Sequence, residues 1–109
     1  MVLYHGTSID AKNSISEQGF NKTYGEYGTG IYLATTQDFA QDYGDEILEV
    51  FVDDEYITTL SQDDIDRIGI MSDMENYAHN SGILAFQIIH NNHQSEVVVY
   101  EDWIIEMVN

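Results

Sequence analysis

The sequence predicts an α+β domain built on a split, mainly antiparallel β-sheet with short helices. Three observations carry that expectation. Segments rich in β-branched and aromatic residues lie at both ends of the chain and in its middle. The helix-spaced stretches between them are short and bounded by Ser, Thr and Gly. The 109 residues are enough for one core and too few for two, so residues 1–109 read as a single domain.

Val2-Leu3-Tyr4-His5 reads as a first short strand. Ser8 is placed to cap a helix carrying Ile9, Ala11 and Ile15, which Gly19 stops. Residues 20–30 mix Gly25, Gly28 and Gly30 with Tyr24 and Tyr27, predicting a mobile aromatic loop. Gly30 to Ala34 is a short apolar strand, and Thr36 opens a second helix through Phe39, Ala40 and Tyr43 that ends at Gly44. Ile47 to Val52 is a strand, Tyr56 to Leu60 another, and Ser61 begins a helical region with Ile65, Ile68 and Met71. Gly82 interrupts the next stretch, and Ile83 to Ile89 fits either a helix or a buried strand. Glu96 to Tyr100 and Trp103 to Val108 complete the strands. No internal repeat, linker or proline breaks this order.

Charge is the compositional oddity. Twenty acidic residues face Lys12, Lys22 and Arg67, for a formal −17. Such a surface repels nucleic acid and anionic membranes and steers toward basic partners. Its plain use is as a solubilising surface; its sharper uses are docking to a basic target or mimicry of DNA phosphates. With no cysteine, disulfides and thiolate metal sites are excluded. No apolar run is long enough to span a bilayer and no basic n-region opens the chain, so the expectation is a soluble cytoplasmic protein.

Three short pieces concentrate the chemistry: Tyr4-His5-Gly6-Thr7, Gly28-Thr29-Gly30-Ile31-Tyr32-Leu33-Ala34, and Ser95-Glu96-Val97-Val98-Val99-Tyr100. Together they resemble the His–Tyr–Glu signature of the diphtheria-toxin-like ADP-ribosyltransferases, which include the poly(ADP-ribose) polymerases. In that family a second tyrosine follows the first by eleven residues, as Tyr43 follows Tyr32 here, and the glutamate opens a Glu-x-x-Val-Tyr strand, as Glu96 does. The resemblance spans about residues 1–52 and 94–108 and does not touch the middle of the chain.

The resemblance implies a compact ADP-ribosyltransferase-like core that takes NAD as substrate. Breaking the nicotinamide–ribose bond passes through an oxocarbenium-like state with positive charge on the sugar. A carboxylate beside the ribose hydroxyls stabilises that charge, and Glu96 takes this role by resemblance. His5 is expected to fix a ribose hydroxyl, and Gly6, with Thr7 beside it, to read the nicotinamide amide through its backbone. Tyr32 and Tyr43 are expected to sandwich the flat ring. The catalytic set is thus His5, Tyr32 and Glu96, and the binding set His5, Gly6, Thr7, Tyr32, Tyr43 and Lys22. Lys22, with Lys12, is the natural partner for the pyrophosphate on charge grounds, and Arg67 lies too far along the chain to place.

Taken singly these residues have plainer readings: a half-buried histidine, core or surface tyrosines, one acid among twenty. Their joint placement on expected elements favours the functional reading. Two departures from the polymerases matter. Ala40 stands where they carry a serine that contacts the nicotinamide amide, and no lysine-like elongation group sits beside Glu96. Transfer of one ADP-ribose unit is therefore expected. No glycine-rich motif opens a helix in the Rossmann manner. His79, His90 and His93 lack zinc-ligand spacing, so no metal is expected.

The leading expectation is a glycosyltransferase that mono-ADP-ribosylates a macromolecule, with a basic, nucleic-acid-binding host protein as acceptor and no direct nucleic-acid or membrane binding. Small size and acidity suit a phage effector acting in the host cytoplasm, akin to the anti-CRISPR ADP-ribosyltransferases. A catalytically inactive acidic protein that occludes a basic partner is the alternative, and NAD hydrolysis a third reading that shares the same site.

Overall fold

Short strands alternate with short helices and turns in the computed structural model, which describes residues 1–90 and 95–108. β1 (Val2–Thr7) leads into α1 (Ile9–Gln18), where the Ser8 hydroxyl accepts from the Ala11 amide and Gly19, at φ 83°, turns the chain away. β2 (Thr23–Gly25) and β3 (Gly28–Ala34) form a hairpin, followed by α2 (Gln37–Gln41) capped by Thr36. β4 (Glu46–Val52) and β5 (Ile57–Leu60) follow, joined by a 3₁₀ turn over Asp54–Tyr56. α3 (Gln62–Ile68) starts on a capping box between Ser61 and Asp64, and α4 (Ser72–Ser81) ends at Gly82 in the left-handed conformation. β6 (Ala85–Ile89), β7 (Ser95–Val99) and β8 (Ile105–Met107) complete the described elements.

The fold is α+β, as the sequence predicts. The strands form one curled sheet in the order β5-β6-β7-β3-β1-β4-β8, with β2 attached to β3, and among the described residues only the β5–β6 pairing is parallel. β1 runs beside β4 from Val2↔Phe51 to Thr7↔Glu46, yet meets β3 at the single pair Tyr4↔Ala34. Beyond that pair the two strands diverge, and the sheet opens there.

Side-chain alternation assigns each face its own core. Leu3, Ile31, Leu33, Val50, Val97 and Val99 pack on one side. Phe86, Ile88, Val98 and Tyr100 meet Ile65, Met74 and Ala78 of α3 and α4 on the other. β7 is buried on both faces, which explains its unbroken β-branched run.

Several expectations are corrected. Residues 20–30 are not a mobile loop but largely the β2–β3 hairpin. Its glycines serve close packing: a Cβ on Gly25 would sit 2.8 Å from the Tyr32 ring, an approach a larger residue cannot make. α2 stops at Gln41, so Tyr43 lies in the turn beyond it. The helical region after Ser61 breaks at Gly69, and Met71, at φ 56°, links α3 to α4. Of the stretch Ile83 to Ile89, Ala85–Ile89 resolves as strand β6, because Leu60 and its neighbours offer a parallel partner on one side and β7 an antiparallel one on the other. Tyr56 and Trp103 fall in 3₁₀ turns instead of strands, and their rings meet edge to face at 5.5 Å.

Candidate functional site

Where β1 and β3 part, a cavity of about 570 Å³ opens between α1, the β2–β3 hairpin and the turn after α2. His5, Gly6, Thr7, Tyr32, Tyr43 and Glu96 all line it. Four stretches of chain, remote in sequence, thus contribute to one wall.

His5 reaches across the gap from β1. Its Nδ1 lies 3.2 Å from the Tyr32 carbonyl oxygen. A carbonyl only accepts, so Nδ1 carries the proton and donates it. Burial lowers the imidazole pKa below its ordinary value, and the hydrogen bond to Tyr32 opposes that only in part. The ring therefore stays neutral near pH 7 and leaves Nε2 as a lone-pair acceptor. Phe20 packs edge-on against it at 5.1 Å and fixes its plane.

Gly6 is required for a reason beyond ligand approach. A Cβ there would fall on the Ala40 carbonyl oxygen, so β1 and α2 could not pack as they do. Ala40 itself is buried and lines the cavity.

Tyr32 braces the hairpin through its hydroxyl, which donates to the Gly28 carbonyl at 2.6 Å and accepts from the Tyr27 amide at 3.0 Å. Burial pushes its pKa up to about 12, so it remains a neutral donor. Its ring neighbour is Tyr27, at 6.4 Å, while Tyr43 packs on Phe39 at 6.0 Å and is largely exposed. The two tyrosines border the cavity without stacking on each other.

Glu96 stands near the start of β7, opposite Ala34 and Ile88, and is 8 % exposed. Burial raises its pKa above the usual carboxylate range; His90 opposes the shift and the charge of Glu26 adds to it. His90 Nε2 lies 3.4 Å from Glu96 Oε1, and Phe39 meets the His90 ring edge-on at 6.1 Å. The Glu96 charge in turn contributes to the raised pKa values of Tyr27, Tyr32 and Tyr43. This is a negatively charged cavity with aromatic borders, suited to a flat cation.

The basic residues are not gathered here. Lys22 is exposed and outside the cavity wall, although its neighbours Asn21 and Thr23 belong to it. Lys12 pairs with Glu46 on β4 at 3.4 Å, and Arg67 with Asp64 on α3 at 2.8 Å. Among the described residues no group of three or more His, Cys, Asp and Glu could hold a metal, and His93 lies outside them. His79 sits 3.8 Å from Glu75 on α4.

Two site residues escaped the sequence reading. Glu26 lines the cavity from the hairpin tip, where the apparent loop concealed a turn. His90 meets Glu96 because β6 and β7 pair with Ile88 opposite Glu96 and Ile89 opposite Ser95. That register is a non-local pairing, which neither strand's own sequence pattern fixes. Among the described residues no helix is long and apolar enough to cross a membrane. No protein-family model matches the chain and no curated protein matches it, so the site is read from its own residues.

Proposed function

We propose that this protein is a mono-ADP-ribosyltransferase that cleaves NAD and passes ADP-ribose to a protein. The observation that carries the reading is the convergence of His5, Tyr32, Tyr43 and Glu96 on one cavity of about 570 Å³, a size ordinary for a small-molecule site. The nicotinamide of NAD is a flat cation, and it suits tyrosine faces beside a buried carboxylate. On β1 no ladder pairing joins Gly6 to β3, which leaves backbone at the cavity edge to meet the ring's amide.

In this reading His5 Nε2 accepts a ribose hydroxyl proton and holds the sugar. Glu96 faces the ribose and stabilises positive charge as the glycosidic bond lengthens. Nicotinamide leaves as a neutral molecule, taking the bonding electron pair. Lys22, exposed between the wall residues Asn21 and Thr23, is the cation this reading assigns to the pyrophosphate. The acceptor is a basic, nucleic-acid-binding protein, in keeping with a chain of formal charge −17, and the setting is a phage effector at work in a host cytoplasm. An inert acidic mimic would have no use for a carboxylate buried in an aromatic-bordered cavity.

The test is incubation with isotopically labelled NAD and cell lysate, followed by mass spectrometry of labelled proteins. Nicotinamide release with a labelled acceptor supports transfer. Nicotinamide release with free ADP-ribose alone supports hydrolysis. Absence of both sinks the proposal.

A further inference from the structure

A second cavity, of about 450 Å³, lies on the other side of the hairpin tip. Glu26 belongs to the walls of both cavities, and His90, in the second wall, contacts Glu96 in the first at 3.4 Å. The two spaces thus adjoin at the Glu26 turn and at the His90–Glu96 pair. The turn itself is firmly held. Met71, with its strained φ of 56°, donates its amide to the Glu26 carbonyl at 2.6 Å, and the Tyr32 hydroxyl ties the next residues of the turn. Backbone strain retained at such a place is common where a chain segment must be positioned for function.

The lining of the second cavity is divided by polarity. Ile65 and Ile88 are buried apolar residues, whereas Glu26, Asp66 and Gln62 are exposed. An aliphatic stem ending in a cationic group with several donors fits that division. We propose that this second cavity seats the acceptor, that the acceptor is an arginine side chain, and that Glu26 and Asp66 receive its guanidinium beside His90. The inference rests on the NAD-cleaving reading above and adds to it the class of acceptor.

Arginine is favoured over lysine on chemical grounds. A protonated amine has no lone pair, and two carboxylates would hold it protonated. A guanidinium nitrogen loses its proton as the new bond forms. In the balanced step the guanidinium nitrogen bonds to the anomeric carbon while the bond from that carbon to nicotinamide breaks. Nicotinamide departs neutral with the electron pair, the substituted guanidinium keeps its positive charge, and the released proton passes through the His90–Glu96 pair to water.

The experiment uses the full chain with NAD and either agmatine or cadaverine, which carry a guanidinium and an ammonium on an alkyl stem. Adducts, free ADP-ribose and nicotinamide are measured in the same reaction. The expected result is an ADP-ribosyl-agmatine adduct without the cadaverine counterpart. Asp66→Asn should lower the ratio of agmatine transfer to hydrolysis by about tenfold, the scale of one charge-assisted hydrogen bond. Circular dichroism verifies that the variant is folded, and Asp66 is exposed on α3. Nicotinamide release without an agmatine adduct, equal use of both acceptors, or an unchanged ratio in Asp66→Asn overturns the arginine site while leaving NAD cleavage standing. Absence of nicotinamide release overturns both.

Discussion

Burying a carboxylate opposes its ionisation, and Glu96 is held in that condition with the His90 ring beside it. The sign of the consequence follows from linkage. The folded-state pKa lies above the unfolded one, so Glu96 favours folding while protonated, and that contribution disappears as pH rises through the folded pKa. Glu96→Gln should therefore leave stability at neutral pH equal or higher, and remove the part of the pH dependence lying just above the ordinary carboxylate range. A thermal-denaturation series over that window reads it. The same substitution removes the charge facing the ribose, and NAD cleavage should drop about 10²–10³-fold, the scale seen when one preorganised electrostatic group is lost. Activity retained in the Gln variant would move the catalytic role to another acid, with Glu26 the nearest candidate in the cavity wall. Replacing His90 by Ala should shift the acidic limb of the pH–activity profile upward, since His90 is the group that lowers the Glu96 pKa against the effect of burial. A limb that stays in place would mean that their contact is structural only.

At the scale of elements, the β2–β3 hairpin links stability to the site. Tyr32 presents its ring to the cavity while its hydroxyl closes the turn. Tyr32→Phe keeps the ring and strips the Tyr27 amide and Gly28 carbonyl of a partner, at an expected cost of about 1–3 kcal/mol in urea denaturation. Nicotinamide binding should change little in that variant. Tyr32→Ala removes the ring as well, and binding should weaken by about tenfold or more. If Phe and Ala variants bind nicotinamide alike, the ring is not a contact. The hairpin also shows where sequence reading runs out. Ser8, Thr36 and Ser61 announced their helices because a capping hydroxyl acts within one turn, and those three caps are present. The β-branched runs of β4 and β7 were equally plain. Gly25, Gly28 and Gly30 read as mobility, because a glycine needed for contact with Tyr32 or β7 looks the same in sequence as one needed for flexibility. The His90–Glu96 contact depends on the β6–β7 register, a non-local pairing that no local pattern reveals. His5, Tyr32 and Glu96 were legible as separate residues; the split between β1 and β3 that brings them to one cavity was not fixed by any of them singly.

For the whole molecule, the remaining matter is what a formal charge of −17 is for. The fold does not consume it. Lys12 and Arg67 are already paired with acids, and most carboxylates have no basic side chain to meet. If the charge serves docking to a basic acceptor protein, rising salt should slow protein modification far more than it slows NAD hydrolysis. Docking of two oppositely charged macromolecules draws on long-range attraction, which is screened beyond about 8–10 Å at physiological ionic strength. NAD is small, and its pyrophosphate is repelled by the acidic surface, so screening should leave its entry unchanged or slightly easier. The two rates are measured on one preparation across a salt series, with a natural acceptor found by the labelling experiment. A steep decline in transfer beside a flat or rising hydrolysis rate assigns the charge to docking. Two parallel curves would return it to a solubilising role, since a charge that only keeps the protein in solution has no reason to distinguish a protein acceptor from water.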